Sequence, residues 1–376
     1  MRIGVPKERR EAEARVAASP ETVRKLKALV DEVVVERGAG LGAAITDQMF
    51  EDAGATLADG PEAPFAADIV LKVQRPTEEE MGRLDQGRIL VGMLDPYMNR
   101  EQVQAYAAGG VTAFAMELLP RTTRAQAMDV LSSQANLAGY RTVIDAMAEY
   151  RRVLPMMMTA AGTVTPAKVF VIGAGVAGLQ AIATARRMGA VVSATDVRPA
   201  AREEIESLGA KFVGFVPEDA ATAGGYARAL TPEEQAEQAR MVAEHVRTQD
   251  ILITTALIPG RPAPRIVTGE MVQSMKPGSV VLDLAVESGG NVEGSEPGQV
   301  VEKGGARIVG HRNMAARVAP AASILYAKNL LNFLGLLIDA KSRELKIDTA
   351  DDLVKGTLLT RDGQVVHEAF RPADQG

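Results

Sequence analysis

No cysteine occurs among the 376 residues, which excludes a disulfide framework, a thiolate-bound zinc site and a cysteine nucleophile. Histidine is nearly as scarce: His245, His311 and His367 are the only three, and none lies in the first half of the chain. There is no basic excess either. The 42 lysines and arginines face 48 acids for a formal net charge of -6, so the chain lacks the electrostatic footprint of a nucleic-acid binder. Nowhere do about 18 apolar residues follow one another, as a bilayer-spanning helix requires. The start, Met1-Arg2-Ile3-Gly4-Val5-Pro6, has no apolar core of a secretory signal, and a cytoplasmic location is expected. No metal site is expected. With 47% hydrophobic and 24% charged residues the composition is that of a soluble globular protein, long enough for two or three domains.

What is present is an alternation of short apolar runs with helix-like stretches. In the first block these are residues 33–35, 69–71 and 89–91, with a helical stretch from Pro20 to Leu29. A second block repeats the rhythm at 169–172, 191–195, 212–213, 251–255, 280–284 and 308–309. Short buried strands separated by helices read as parallel sheet. A third block is helical after Ala319, with Ile324, Leu325, Ala327, Leu330, Leu331 and Leu334 spaced for one apolar face. The tail beyond Asp339 is polar, with a hairpin signal at Arg361-Asp362-Gly363. The expected fold is α/β: two Rossmann-like doubly wound parallel-sheet domains, the second inserted in the first. Residues 1–131 completed by 320–376 form one, and 132–319 the other, entered through a helix from about Ser132 to Arg151.

The chemistry is most legible where the strand Val169-Phe170-Val171-Ile172 runs into Gly173-Ala174-Gly175-Val176-Ala177-Gly178 and then into a helix ending near Gly189. Gly173 allows the tight turn, Gly175 lets a pyrophosphate approach the backbone, and Gly178 lets the helix pack on the strand. The helix start adds free N–H groups and a positive dipole end. The next strand ends at Asp196, about 20 residues on, where a carboxylate accepts both hydroxyls of an adenosine ribose. The same carboxylate would repel a 2′-phosphate, so NAD(H) is favoured. Arg198 complicates this, since an arginine there can serve a 2′-phosphate or stack on adenine.

Reduction of a carbonyl or imine needs a proton donor beside the hydride. His245, in a polar helix, and His367, in the tail, are expected at the solvated surface, and His311 in a structural role. Hydride exchange between two nicotinamides needs only close rings and exclusion of water. The chain suits that reaction better.

Four longer runs make the chain recognisable: Arg121-Thr122-Thr123-Arg124-Ala125-Gln126-Ala127-Met128-Asp129-Val130-Leu131-Ser132-Ser133-Gln134-Ala135-Asn136-Leu137-Ala138-Gly139-Tyr140, Met156-Met157-Met158-Thr159-Ala160-Ala161-Gly162, Thr254-Thr255-Ala256-Leu257-Ile258-Pro259-Gly260 and Asp283-Leu284-Ala285-Val286-Glu287. They resemble the NAD(H)-binding component of proton-translocating transhydrogenase, from Pro6-Lys7-Glu8 to about Asp362-Gly363. The resemblance implies that Arg121, Thr122, Thr123, Gln126, Asp129 and Ser132 surround the nicotinamide end. Gln126 would face a second nucleotide, while Arg121 and Asp129 would hold the nicotinamide and its ribose. Asp129 and Ser132 are also good helix-capping residues. The cofactor set implied around the fingerprint is Gly173, Ala174, Gly175, Val176, Gly178, Asp196, Val197 and Arg198, with Leu257 beside the nicotinamide. Gly225 and Tyr226 resemble a loop that closes over bound NAD(H). The run Met156-Met157-Met158 reads as core filling, whereas the family places a contact between two copies there and so implies a homodimer. Implied partners are a component that binds NADP(H) and a membrane subunit that conducts protons, with this chain peripheral on the cytoplasmic face.

Alanine dehydrogenase shares the two-domain plan, and Arg15 and Lys72 match substrate-binding positions of that family. They could equally be surface cations or inherited scaffold. The chain departs from that family at Val91-Gly92-Met93-Leu94-Asp95-Pro96, which lacks its catalytic histidine, and at Glu287, where it has an aspartate. A third reading is a nucleotide-sensing protein with no chemistry of its own.

Overall fold

Runs of β-branched and aliphatic residues, apolar on both faces, can only be satisfied as buried strands, and the helices between them make those strands parallel. The computed structural model describes residues 1–198, 200–214, 231–258 and 260–371. It divides into two compact units, Met1–Gln134 with Ala315–Gly376, and Ala135–Met314.

In the first unit, β1 (Arg2–Val5), β2 (Glu32–Glu36), β3 (Thr56–Ala58), β4 (Ile69–Gln74), β5 (Ile89–Met93) and β6 (Thr112–Ala115) pair in the order β3-β2-β1-β4-β5-β6. All are parallel, and the order reverses direction at β1, the mark of a doubly wound sheet. Two C-terminal strands, Leu358–Arg361 and Gln364–Val365, extend the β6 edge antiparallel. Their two-residue turn is Asp362 and Gly363, both at positive φ, as such a hairpin demands. One face of the sheet packs Ile3, Val35, Leu71 and Val91 in a core with Tyr326, Leu330, Phe333 and Leu337 of the helix Ala319–Leu337. Of the face expected from the sequence, Ala327, Leu330 and Leu334 are buried. Ile324 and Leu325 remain 40% and 38% exposed, because the helix is apolar almost all round and its periodicity does not select a side.

The first strands of the second unit form a hairpin, β7 (Met157–Thr159) and β8 (Gly162–Val164), whose residues are all exposed. Met156, Met157 and Met158 are thus not core filling in this chain, with Met158 77% exposed. The main sheet contains β9 (Lys168–Ile172), β10 (Val191–Thr195), β11 (Lys211–Phe212), β12 (Ile251–Thr254), β13 (Val280–Asp283), β14 (Val300–Lys303) and β15 (Ala306–Val309), ordered β11-β10-β9-β12-β13-β15-β14. Only β14 runs antiparallel. It escapes the sequence pattern because an edge strand half open to solvent carries no apolar run. The order reverses between β9 and β12, and ligands of open α/β sheets bind at the strand ends beside such a point. The helix Val130–Tyr150 leads from one unit into the next along the chain. Among the described residues, no helix is long and apolar enough to cross a membrane.

Candidate functional site

The fingerprint lies at that reversal, between the end of β9 and the helix Val176–Arg187. Gly173 sits at φ 99°, left-handed backbone that a side chain resists, and its N–H donates to Thr195 O at 2.9 Å. A Cβ on Gly178 would fall 1.8 Å from Gly173 O, so helix and turn meet only because no side chain intervenes. Gly175 is different. Its backbone, φ -72° and ψ -171°, suits any residue, and a Cβ there would touch nothing within 4 Å among the described residues. The packing of the described residues does not require this glycine, while a ligand lying against the backbone would. Among the described residues no side chain caps the helix that starts here, so its first N–H groups keep their hydrogen-bonding capacity for an anion.

Asp196, just past β10, accepts the Ala174 N–H at 2.7 Å and ties the strand end to the fingerprint. Arg198 bonds the same carboxylate and also donates to Ala174 O at 2.9 Å. Val197 is 75% exposed beside them. On the other side of the reversal, Thr255 Oγ1 donates to Gly173 O at 3.1 Å, and Leu257, 52% exposed, follows. Two buried residues that sequence reasoning missed hold this segment. Asn291 donates to Ala256 O at 2.8 Å and accepts the Ala256 N–H at 3.0 Å. Asp283 accepts bonds from Thr254, Ala285, Asn291 and Val292. Their signal was only that polar residues sit at a strand end, which capping or turns explain as well. The residues from Gly173 to Gly178, Val197, Asp196, Arg198 and Leu257 thus follow the carboxyl ends of three neighbouring central strands, β9, β10 and β12. Glycine backbone, helix N–H groups and an ordered carboxylate fit a dinucleotide.

In the first unit, residues 121–132 form an exposed turn, a 3-10 helix Thr123–Met128 and the start of the helix Val130–Tyr150. Arg121, Thr122, Thr123 and Gln126 face solvent. Asp129 caps the long helix, its Oδ1 accepting the Ser132 N–H at 2.9 Å and its Oδ2 the Ser132 hydroxyl. Asn329 and Asn332 both donate to Ala127 O at 2.9 Å and pin the turn from below. Gly225 and Tyr226 lie outside the described residues.

Several expectations need correction. His245 is half-buried, with Nε2 2.7 Å from Ser193 Oγ and its ring edge-on to Phe170. Burial, then Lys211 and Lys168, lower its pKa. His367 is half-buried against Phe370, and burial lowers its pKa too. Arg15 and Lys72 are not surface cations: Lys72 is fully buried, 2.9 Å from Glu80 and 3.3 Å from Glu8, and Arg15 is clamped by Glu13 and Gln134. Glu287 is exposed and accepts the Asn313 N–H at 2.8 Å.

Two family models match the chain: the alanine dehydrogenase/PNT N-terminal domain over residues 4–138 and the C-terminal domain over 142–368. An NAD(P) transhydrogenase alpha subunit of Rhodospirillum rubrum is 55% identical over 98% of this chain and 99% of its own length. A crystal structure of transhydrogenase from Sinorhizobium meliloti superposes with TM-score 0.90 at 58% identity, covering 97% of this chain and 100% of that one. Alanine dehydrogenase of Mycobacterium tuberculosis is a more distant relative, 34% identical over 79% of this chain and 76% of its own length. The chain therefore belongs to the alanine dehydrogenase/PNT family, among the NAD(P) transhydrogenase alpha subunits.

Proposed function

We propose that this chain is the component of a proton-translocating transhydrogenase that holds NAD(H), and that it exchanges hydride directly with NADP(H) held by a partner component. The observation that carries the reading is Gly175, whose missing side chain leaves space that no described residue fills, over a helix start that none of them caps, beside the ordered carboxylate of Asp196.

The nicotinamide supplies the hydride chemistry, and the chain supplies grip, orientation and exclusion of water. In this reading the first N–H groups of the helix Val176–Arg187, with Ala174, Gly175 and Gly178, hold the pyrophosphate. Asp196, Val197 and Arg198 hold the adenosine end, and the backbone at Leu257 the nicotinamide end. Arg121, Thr122, Thr123, Gln126, Asp129 and Ser132 orient the nicotinamide and its ribose, with Gln126 toward the second nucleotide. Gly225 and Tyr226 close the site. A reaction that moves a hydride and no proton suits these groups, which offer hydrogen bonds rather than a proton shuttle. The exposed methionine hairpin favours a homodimer. A membrane subunit would conduct the protons, with this chain peripheral on the cytoplasmic side.

The test is NADH fluorescence and NADH oxidation by the purified chain with pyruvate and ammonium, then with an NADP(H)-binding partner. The expected result is binding, no oxidation by pyruvate and ammonium, and hydride exchange once the partner is added. Steady oxidation of NADH without the partner would replace this reading with amino acid dehydrogenation. No exchange with the partner would favour a sensing role.

A further inference from the structure

Two side-chain amides of one helix converge on a single carbonyl oxygen in the exposed turn of the first unit. Asn329 Nδ2 and Asn332 Nδ2 both donate to Ala127 O at 2.9 Å. A carbonyl oxygen has two lone pairs, so this one is filled. The asparagines stand three apart on the helix Ala319–Leu337 and so share one face of it. Asparagine is a poor helix former, and the helix around this pair is mostly apolar, so the helix itself gains nothing from them. Asn329 is buried, and its Oδ1 also accepts the Ser133 hydroxyl at 2.7 Å. Asn332 is exposed, and its side chain makes this bond and no other among the described residues.

The carbonyl they hold belongs to the 3-10 helix Thr123–Met128, whose other attachments lie on either side of Gln126. Arg124 pairs with Asp351, Ala125 and Met128 are buried in the core under the sheet, and Asp129 N donates to Gln126 O at 3.4 Å. Gln126 is therefore an exposed side chain on a backbone fixed before and after it. Exposed turns are ordinarily mobile. Hydride transfer between rings held by separate chains has no use for such mobility, since a misplacement of about 1 Å costs about a hundredfold in rate.

We propose that Asn329 and Asn332 are positioning residues for hydride transfer: they clamp the Ala127 carbonyl, and through it hold Gln126 in the attitude that the second nucleotide requires. Neither asparagine needs to touch a nucleotide for this. Their effect falls on the rate of transfer and not on the grip of NADH, which belongs to the second unit. The proposal rests on reading residues 121–132 as the nicotinamide end of a transhydrogenase site.

The experiment uses the full chain with its NADP(H)-binding partner. It measures the single-turnover rate of hydride exchange at several partner concentrations up to saturation, the Kd for NADH and the melting temperature. Asn332→Ala should melt and bind NADH as the native chain does, because Asn329 still holds the carbonyl. Its transfer at saturating partner should be about threefold to thirtyfold slower, part of the penalty of a misplaced ring. Asn332→Asp, of the same shape without the donor, should slow transfer at least as much. Asn332→Gln, which keeps the amide on a longer stem, should recover part of the rate. In a Gln126→Ala background the Asn332→Ala change should cost less than in the native one, since the side chain it positions is gone. Native rates in both Asn332→Ala and Asn332→Asp overturn the proposal, and so does full additivity with Gln126→Ala. A loss seen only below saturation assigns Asn332 to the docking of the partner and overturns it as well. No exchange between the native chain and the partner overturns the transhydrogenase reading itself, and this proposal with it.

Discussion

Gly175 and Gly178 stand three residues apart in one turn and answer to different constraints. At Gly178 an added Cβ meets Gly173 O at 1.8 Å, so Gly178→Ala must push the helix off the turn. We expect a loss of about 1–3 kcal/mol, the usual penalty of overpacking, read as a lower melting temperature. At Gly175 no described residue fills the space, so Gly175→Ala should melt with the native protein yet bind NADH at least tenfold more weakly. Native affinity in that variant would remove the pyrophosphate from Gly175. Glu117 gives a pH dependence of its own. Burial pushes its pKa up to about 7, against backbone N–H bonds from Glu117 itself, Asp95 and Leu94, and its Oε2 is sealed without a partner among the described residues. The folded state thus holds this proton more tightly than the unfolded chain. The stability it contributes is full below the ordinary carboxylate range and is lost as pH rises through about 7. Glu117→Gln, always neutral, should therefore raise the melting temperature at pH 8, with the advantage shrinking toward pH 4.5. An equal difference at both pH values would assign the effect to packing.

The helix Val130–Tyr150 shows how one residue can serve an element and still be proposed for the chemistry. Asp129 is its cap, which separates the two roles by experiment. Asp129→Ala should cost about 1 kcal/mol of stability through the lost cap. Asp129→Asn keeps a capping oxygen, so its melting temperature should stay native while hydride exchange with the partner slows. Normal exchange in the Asn variant would leave Asp129 with the cap alone. Elements of this kind were readable to different depths. The strands at 69–71, 169–172 and 280–284 announced themselves because residues buried on both faces must be apolar. The strand Val300–Lys303 and the hairpin from Met157 to Val164 did not, since open edges impose no pattern, and three methionines resemble core by type alone. Burial of Arg15 and Lys72 was hidden for the opposite reason: a charged residue is read as exposed unless its partners are known, and Glu13, Glu80 and Glu8 lie far from obvious in a linear chain. The fingerprint glycines were legible because their roles follow from geometry alone. Asn291 and Asp283 were not, because their partners become visible only when the strand ends are brought together.

Across the whole molecule, each unit carries its own apolar cores, those of the first on the two faces of one sheet and those of the second on the two faces of the other. If the dinucleotide is gripped mainly by the second unit, saturation at a hundredfold over Kd adds about 2.7 kcal/mol of protection there. Hydrogen exchange should then slow in β9, β10, β12 and β13 more than in β1 to β6. Uniform slowing through both sheets would show that the nucleotide tightens the chain as a whole. The first unit is assembled from the two ends of the chain, with Ala135–Met314 between them. On a ribosome this sets a schedule. The sheet of the first unit emerges early, but Tyr326, Leu330 and Phe333, which cover one of its faces, are made roughly 10–40 s after Gln134 at ordinary rates of synthesis. For that interval an apolar sheet waits uncovered while the second unit, continuous in sequence, is free to fold. The nascent first half is thus the stage at which this chain most needs a chaperone.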